Sequence, residues 1–306
     1  MRALVTGGAG FIGSHLVELL EEKGIDVVVL DDLSTGRREN LEGTKAKLIV
    51  GTITSKEIVN DLMRGIDWVF HLAALVSVPE SIENPEKTID VNIKGTLNLL
   101  ESSVTHKIKK FIFFSSAAVY GEPEKMPISE DFPTLPKSPY AITKLCGENF
   151  CEYFRHQFGL NTVILRLFNA YGPRQSLHSA YAAAIPAFIT SVMNEKPITI
   201  FGTGYQTRDF IYVKDVSNAA LFVAMKEDSK GIYNIGTGQA VSIIELSKLI
   251  MSLMKKEVGK SFLPPRPGDI LHSTADISKI TKLGFKPTTK LTDGLQETIK
   301  YFIHNS

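Results

Sequence analysis

The chain is poor in the features that would commit it to an oxidised, membrane-bound or polyanion-binding role. Its 306 residues include two cysteines, Cys146 and Cys151. They stand close together in a segment that reads as helix, a spacing that suits neither a disulfide nor a metal site. Both are expected to be small buried side chains in a reducing compartment. The seven histidines are scattered without paired ligand spacing, and no metal is assigned. Charge is balanced, with 34 Lys and Arg against 33 Asp and Glu, so nothing marks a nucleic acid or a membrane surface as a partner. No uninterrupted apolar run is long enough to span a bilayer. The first strand-like run starts at once, leaving no room for a signal peptide, and a cytoplasmic location is expected. Apolar residues make up 43% and charged residues 22%, the balance of an ordinary globular protein. The length suits one large or two modest domains, and there are no repeats or low-complexity segments.

What is present begins at the first residues. The apolar run Ala3–Val5 leads directly into Thr6-Gly7-Gly8-Ala9-Gly10-Phe11-Ile12-Gly13. After it Ile12, Leu16, Leu19 and Leu20 recur at helical spacing. A strand, a glycine turn and a helix together make a dinucleotide site: the glycines let backbone approach a pyrophosphate, and the helix start offers N–H groups to the anion. The spacing is Gly7-x-x-Gly10-x-x-Gly13 rather than G-x-G-x-x-G, so context carries the reading. Next, Val27–Leu30 reads as a fully buried strand ending in Asp31-Asp32. An acid there is placed to accept hydrogen bonds from the adenosine ribose, and it repels a 2′-phosphate, which favours NAD over NADP.

Strand-like runs alternate with helical ones through the first half. Strands are expected at Ala3–Val5, Val27–Leu30, Lys47–Val50, Trp68–Leu72, Phe111–Phe114 and Thr162–Arg166, with helices around Ile12–Glu22, Thr88–Ser103 and Tyr140–Phe158. The fold class is α/β, a doubly wound parallel Rossmann sheet with a smaller C-terminal α/β substrate domain. Ligands in such sheets sit at the strands' carboxyl ends, which singles out Gly7–Gly13, Asp31–Gly36, Leu72–Ser77, Ser115–Gly121 and Phe168–Gly172. After Gly172 turns and prolines dominate. Val213–Met225 and Ile232–Gly236 read as a helix and an outer strand returning to the sheet. The expected division is therefore interleaved: 1–170 plus about 211–236 for the cofactor, and 171–210 plus about 237–306 for the substrate.

Tyr140 and Lys144 stand at i and i+4 and share one face of their helix. A free phenol has a pKa near ~10 and is a poor base at neutral pH; a nearby ammonium is expected to lower it. Ser116 follows the Phe111–Phe114 strand, where its hydroxyl can bond a substrate oxygen that the tyrosine deprotonates.

The glycine pattern, Ser116, Tyr140 and Lys144 together resemble the extended short-chain dehydrogenase/reductase family. Matching segments cover almost the whole chain: His71-Leu72-Ala73-Ala74, Val91-Asn92-Ile93-Lys94-Gly95-Thr96, Ser116-Ala117-Ala118-Val119-Tyr120-Gly121, Arg166–Pro173, Arg208–Val213 and Arg266–Asp269. Within the family the set is similar to the UDP-hexose 4-epimerases, and most similar in motifs to those acting on UDP-N-acetylglucosamine. The resemblance implies an enzyme with bound NAD, with Ser116, Tyr140 and Lys144 catalytic. It places the cofactor against Gly7, Gly10, Phe11, Ile12, Gly13, Asp31, Asp32, Ser34, Thr35, Gly36, Thr52, Ile53, Leu72, Ala73, Ala74, Asn92, Tyr140 and Lys144. Gly51-Thr52-Ile53 departs from the family's usual Gly-Asp-Ile, which weakens the expected contact to adenine. A homodimer is implied, built from the Thr88–Ser103 and Tyr140–Phe158 helices.

The resemblance also narrows the reaction. Sugar-nucleotide 4,6-dehydratases carry Asp-Glu after the serine, and the related decarboxylases carry a glutamate before Val-Tyr-Gly. Here the positions are Ala117 and Ala118, which transfer no proton, so oxidation and reduction at one carbon remains. On the substrate side, Arg208 and Arg266 match diphosphate contacts, although Asp209 and Asp215 offer Arg208 alternative ion pairs. Arg174 is a further nearby cation. Asn169 matches a contact to diphosphate or sugar, and Phe201 ends a strand matched to the uracil. Ser77, Ser116 and Asp269 complete the expected substrate set with Ser273. That last position is a gate: a bulky tyrosine there goes with plain hexoses, and a small residue leaves room for a 2-acetamido group. The expected substrates are UDP-GlcNAc and UDP-GalNAc, with UDP-Glc and UDP-Gal secondary and a uronic acid sugar left open. A net nucleotide-sugar oxidoreductase would share the same three catalytic residues. A cofactor-sensing regulator would keep the glycines but need not keep the tyrosine and lysine.

Overall fold

A computed structural model describes residues 1–176, 183–265 and 270–305 of the chain. Its strands are β1 (Arg2–Thr6), β2 (Asp26–Asp31), β3 (Lys47–Val50), β4 (Trp68–His71), β5 (Lys110–Ser116), β6 (Thr162–Leu167), β7 (Asn169–Tyr171), β8 (Ile198–Phe201), β9 (Thr207–Tyr212), β10 (Gly231–Ile235), β11 (Ala240–Ser242) and β12 (Lys260–Leu263). Seven of them form one sheet in the order β10-β6-β5-β4-β1-β2-β3. Every pair in it is parallel. The apolar runs Ala3–Val5, Val27–Leu30, Trp68–Phe70 and Phe111–Phe114 are buried, because helices cover both faces. Leu16, Val17 and Leu20 from the first helix, with Val216, Ala219 and Ala220, cover one face. Val59, Leu99, Leu100, Cys151 and Phe154 cover the other. The chain leaves β1 towards β2 and β3, then returns to β4 on the other side. That reversal opens a crevice between the carboxyl ends of β1 and β4.

Two small sheets, β11-β9-β7 and β12-β8, sit around a third core. It contains Ile185, Ile189, Ile198, Ile200, Leu246, Ile250, Leu295 and Phe302. The Ile243–Met254 helix begins in a full capping box between Ser242 and Glu245, and the amphipathic Leu291–His304 helix closes this core.

The helix expected over Thr88–Ser103 is three pieces: Pro85–Ile89, a wide π turn over Asp90–Lys94, and Gly95–Thr105. Such turns insert an extra residue and often mark functional positions; here Asn92 lies at its centre and is buried. The Tyr140–Phe158 helix begins one residue earlier, with Pro139 at its first position and the Ser138 side chain accepting from the Ala141 N–H at 3.2 Å. It ends at Gly159 in the left-handed conformation. Strand ends otherwise move by one or two residues, as element boundaries do. Cys151 is buried as expected, whereas Cys146 is only half-buried.

Candidate active site

Gly7 holds a φ of +71°, and a Cβ on it would meet the Ala73 nitrogen at 2.8 Å. A Cβ on Gly13 would drive into the Gly7 carbonyl. The turn can therefore be made only by glycine at these points, and it brings the helix start hard against the end of β1. The N-cap of the Phe11–Glu22 helix is Gly10, with no side-chain cap bond. The N–H groups of the first turn are thus left to a ligand.

The turn is pinned from outside at one residue, Ala9. The Ala9 N–H donates to Asp31 Oδ2 at 2.9 Å. The Ala9 carbonyl accepts from the Arg37 N–H at 3.0 Å and from Asn40 Nδ2 at 2.8 Å. Asp31 Oδ1 takes the Leu33 N–H at 2.9 Å. Burial raises the Asp31 pKa, and the two N–H bonds oppose that rise. Each carboxylate oxygen keeps a lone pair for a further donor such as a ribose hydroxyl. Asp32 and Ser34 are exposed and bonded to each other at 2.6 Å. Thr35 is exposed, and Gly36 packs against the Asp31 carboxylate. Thr52 bonds the Thr54 hydroxyl at 2.9 Å, while Ile53 is buried and its carbonyl accepts from Asn98 at 3.1 Å.

At the end of β4, Leu72 and Ala73 both donate their N–H to the Thr6 carbonyl. Behind them runs a buried chain whose proton order can be deduced. Thr96 Oγ1 donates to the Asn92 carbonyl at 2.6 Å, so it must accept from His71 Nε2 at 2.8 Å. His71 Nδ1 is then the acceptor for Thr6 Oγ1 at 2.8 Å. Burial holds the His71 pKa well below its usual value, with Lys144 adding to the effect, so the ring is neutral. Asn92 accepts from the Leu75 N–H at 2.8 Å and donates to the Leu75 carbonyl and Thr143 Oγ1, each at 3.0 Å. Thr143 in turn bonds the Tyr140 carbonyl at 2.8 Å. Asn92 thus ties the Leu72–Leu75 strand end to the helix bearing Tyr140.

The structure brings the three expected catalytic side chains together. The Ser116 side chain acts on the Tyr140 phenol, favouring its ionised form against burial. Ser116 ends β5, and its hydroxyl also accepts from the Ala118 N–H at 3.2 Å. The backbone of Tyr140 is fixed by its N–H to Ser81 Oγ at 3.1 Å. Lys144 is buried, donates to the Phe114 carbonyl at 2.7 Å and lies 5.0 Å from the Phe113 ring centre. It reaches this depth because Gly147 on the same helix lies against Phe113, where a Cβ would stand 2.5 Å from the ring. Burial lowers the Lys144 pKa to about 8, with Glu148 the largest opposing influence. One expectation is corrected here. Burial raises the Tyr140 pKa, and Ser116, not Lys144, is what opposes it. The ammonium is turned to the Phe114 carbonyl instead.

The other candidates lie across the crevice. Ser77 caps the Val78–Glu83 helix through the Glu80 N–H. Asn169 is exposed at the start of β7, and Phe201 closes β8. Arg208 is buried and bonds the Thr207 and Leu271 carbonyls at 2.8 and 3.4 Å. Neither acid weighed as its partner is bonded to it. Asp209 takes the Thr237, Gly238 and Ala275 N–H groups and the Thr237 hydroxyl, and Asp215 takes the Thr288 and Thr289 N–H groups. Arg174 is engaged by Glu18 on the first helix. Ser273 is buried and donates its N–H to the Thr207 carbonyl at 3.2 Å, one residue from Arg208. Arg266 and Asp269 lie outside the described residues.

Spacing alone gives no role to Asn40, Ser81, Thr143 or Glu148. For Glu148 a signal exists: it continues the four-residue step from Tyr140 to Lys144. Asn40 and Ser81 act through backbone atoms of distant segments, and Thr143 through the distant Asn92 side chain, which spacing does not encode.

Glycines that no side chain can replace, an open helix start and an acid at the end of β2 fit a dinucleotide. Known proteins agree. A UDP-glucose 4-epimerase of Mycolicibacterium smegmatis is 36% identical over 313 residues, covering 100% of both chains. A UDP-N-acetylglucosamine 4-epimerase from Methanobrevibacter ruminantium M1, solved with UDP-N-acetylmuramic acid, superposes with a TM-score of 0.97 at 40% identity, over 100% of this chain and 99% of that one. A UDP-glucose 4-epimerase of Thermotoga maritima, solved with UDP-glucose, gives 0.96 at 38% over 100% and 99%. A UDP-glucuronic acid 4-epimerase from Bacillus cereus, solved with UDP-glucuronic acid and NAD, gives 0.93 at 35% over 100% of each chain. The family model described as NAD dependent epimerase/dehydratase matches residues 3–236, from β1 to the residue after β10. The cofactor cradle lies wholly within that match, and the chain therefore belongs to the NAD-dependent epimerase/dehydratase family, with NAD as its cofactor.

Proposed function

We propose that the protein is a UDP-sugar 4-epimerase that interconverts UDP-GlcNAc and UDP-GalNAc, with UDP-Glc and UDP-Gal as secondary substrates. The observation that carries the reaction type is Ser116, at the end of β5, acting on the Tyr140 phenol beside Ala117 and Ala118. One proton-transferring phenol is present, and the two neighbouring positions carry no acid or base for elimination. Bound NAD supplies the acceptor and donor of a hydride. Tyr140 takes the proton from the sugar O4 and returns it after the transient 4-keto sugar has presented its other face. Ser116 holds O4 within reach of the phenol. Lys144, still mostly protonated at neutral pH with its pKa near 8, supplies positive charge one turn along.

The same proposal assigns Arg208 and Arg266 to the diphosphate, Asn169 to the diphosphate or sugar, Phe201 to the uracil, and Ser77, Asp269 and Ser273 to the sugar. It keeps the glycine turn, Asp31–Gly36, Thr52, Ile53, Leu72–Ala74 and Asn92 for NAD. Residues 1–170 with about 211–236 form the cofactor domain, and the rest the substrate domain. Support for the acetylated sugar is the small side chain of Ser273, buried next to the segment bearing Arg208. A homodimer is included: Ile89, Ile142, Tyr153 and Phe158 are each about half exposed on the two helices that would pair. Among the described residues no helix is long and apolar enough to cross a membrane. A cytoplasmic location rests on the need for NAD and UDP-sugars. Incubation of the NAD-loaded enzyme with UDP-GlcNAc, followed by proton NMR, should show UDP-GalNAc and no net NADH. Conversion of UDP-Glc alone would overturn the substrate, and accumulating NADH would overturn the reaction.

A further inference from the structure

The Tyr140–Lys144 step continues to Glu148, so three polar side chains lie along one face of the Pro139–Phe158 helix. Glu148 is buried to 1% exposure and Arg166 to 3%. Arg166 Nη2 donates to Glu148 Oε2 at 2.7 Å, and Arg166 Nε to Oε1 at 3.0 Å. The Ser115 hydroxyl donates to the same Oε1 at 2.5 Å. Ser115 and Arg166 are register partners on β5 and β6, so the two strands grip the carboxylate from adjacent positions. Arg166 also lies 4.7 Å from the Tyr120 ring centre, in the Ala117–Tyr120 turn that starts at Ser116. The pair therefore joins β5, β6 and the turn after Ser116 to the helix that bears Tyr140 and Lys144.

Resting on the proposed function, we propose that Glu148, held by Arg166 and Ser115, is a positioning residue that registers the Tyr140–Lys144 helix face against the Ser116 strand and supplies the counter-charge one turn from Lys144. The other groups around Lys144 give it no anion. His71 is neutral, the Cys151 thiol is pushed well up by burial, and β5 offers the Phe114 carbonyl and the Phe113 ring. Arg166 and Tyr140 supply no negative charge at neutral pH. Loss of the carboxylate should let Lys144 lose its proton at lower pH. At a pH above the pKa, a tenfold stronger acid leaves about one tenth of the charged lysine.

The test compares Glu148→Gln with the double variant Glu148→Leu/Arg166→Met, which removes the unpaired buried guanidinium and keeps an apolar fill. Lys144 is titrated by NMR of lysine labelled at Cε, assigned with Lys144→Arg, a readout that needs no turnover. It should titrate near 8 in the native enzyme, at a pH lower by about 1 in Glu148→Gln, and at a pH lower by less than that in the double variant, where the Arg166 charge is removed as well. With UDP-GlcNAc, the alkaline limb of kcat should move down by the same amount, and KM should change less than about threefold. An unshifted Lys144 titration overturns the proposal, as does native kcat in the double variant, which would mark the pair as structural only. No epimerisation by the native enzyme would sink the function instead, leaving the titration to decide the role of Glu148.

Discussion

The two sides of the crevice are built differently. On the cofactor side, the glycine turn is made by one short stretch of chain, residues 2–41, folded on itself: glycines create the space, and Asp31 and Asn40 clamp the Ala9 backbone. The sugar side is assembled from β7, β9, the Gly236–Gly238 turn and the Leu271–Ala275 segment, which are far apart in sequence. One buried carboxylate, Asp209, gathers three of these pieces. Local geometry fixes the glycine turn, and tertiary contacts fix the second side. A side held by long-range contacts can change its pocket without disturbing the cofactor, as neighbours with different UDP-sugars and one shared fold illustrate.

The largest expected effect falls where the sides meet. Tyr140→Phe removes the proton carrier and leaves the Ser81 and Thr143 contacts to its backbone. We expect kcat to fall about 10²–10⁴-fold, with NAD and UDP-sugar affinities nearly native by calorimetry. A loss of either affinity would mean that Tyr140 belongs to one side rather than to the chemistry.

The second effect separates the sides directly. In Asp209→Asn the amide keeps an acceptor but turns a donor towards backbone N–H groups. Each buried group left unsatisfied costs about 1–3 kcal/mol. UDP-sugar affinity should drop about tenfold while NAD affinity holds, with a lowered Tm. Asp31→Asn should do the reverse, weakening NAD about tenfold and sparing the sugar nucleotide. Equal losses on both ligands in either variant would break the division.

That division also explains what is legible in the sequence. The parallel sheet, the turn at Gly7–Gly13, Asp31, and the Ser116, Tyr140 and Lys144 set are all written as local spacing, and the structure brings them together. The π turn around Asn92 is not, because a helical pattern does not reveal one inserted residue. Asp209 stands in a recognisable motif, but its three backbone partners lie 28 to 66 residues away. The direction of the Tyr140 pKa is hidden for a related reason. Spacing places Lys144 one turn away, but the direction of its ammonium depends on the Phe114 carbonyl across the sheet.

The last comparison asks whether the sugar side can be retuned alone. Ser273 is 2% exposed, and its backbone is fixed through the Thr207 carbonyl, so a larger side chain must grow towards the pocket or strain the packing around it. In Ser273→Tyr, overlap with a 2-acetamido group should cost about 1–3 kcal/mol. That is roughly tenfold or more in kcat/KM for UDP-GlcNAc, with UDP-Glc changed less than about threefold. The ratio is the informative quantity, because general damage to the segment held by Asp209 would lower both substrates together. An unchanged ratio would mean that Ser273 faces packed protein rather than sugar, and that the acetylated substrate is accommodated elsewhere in the crevice.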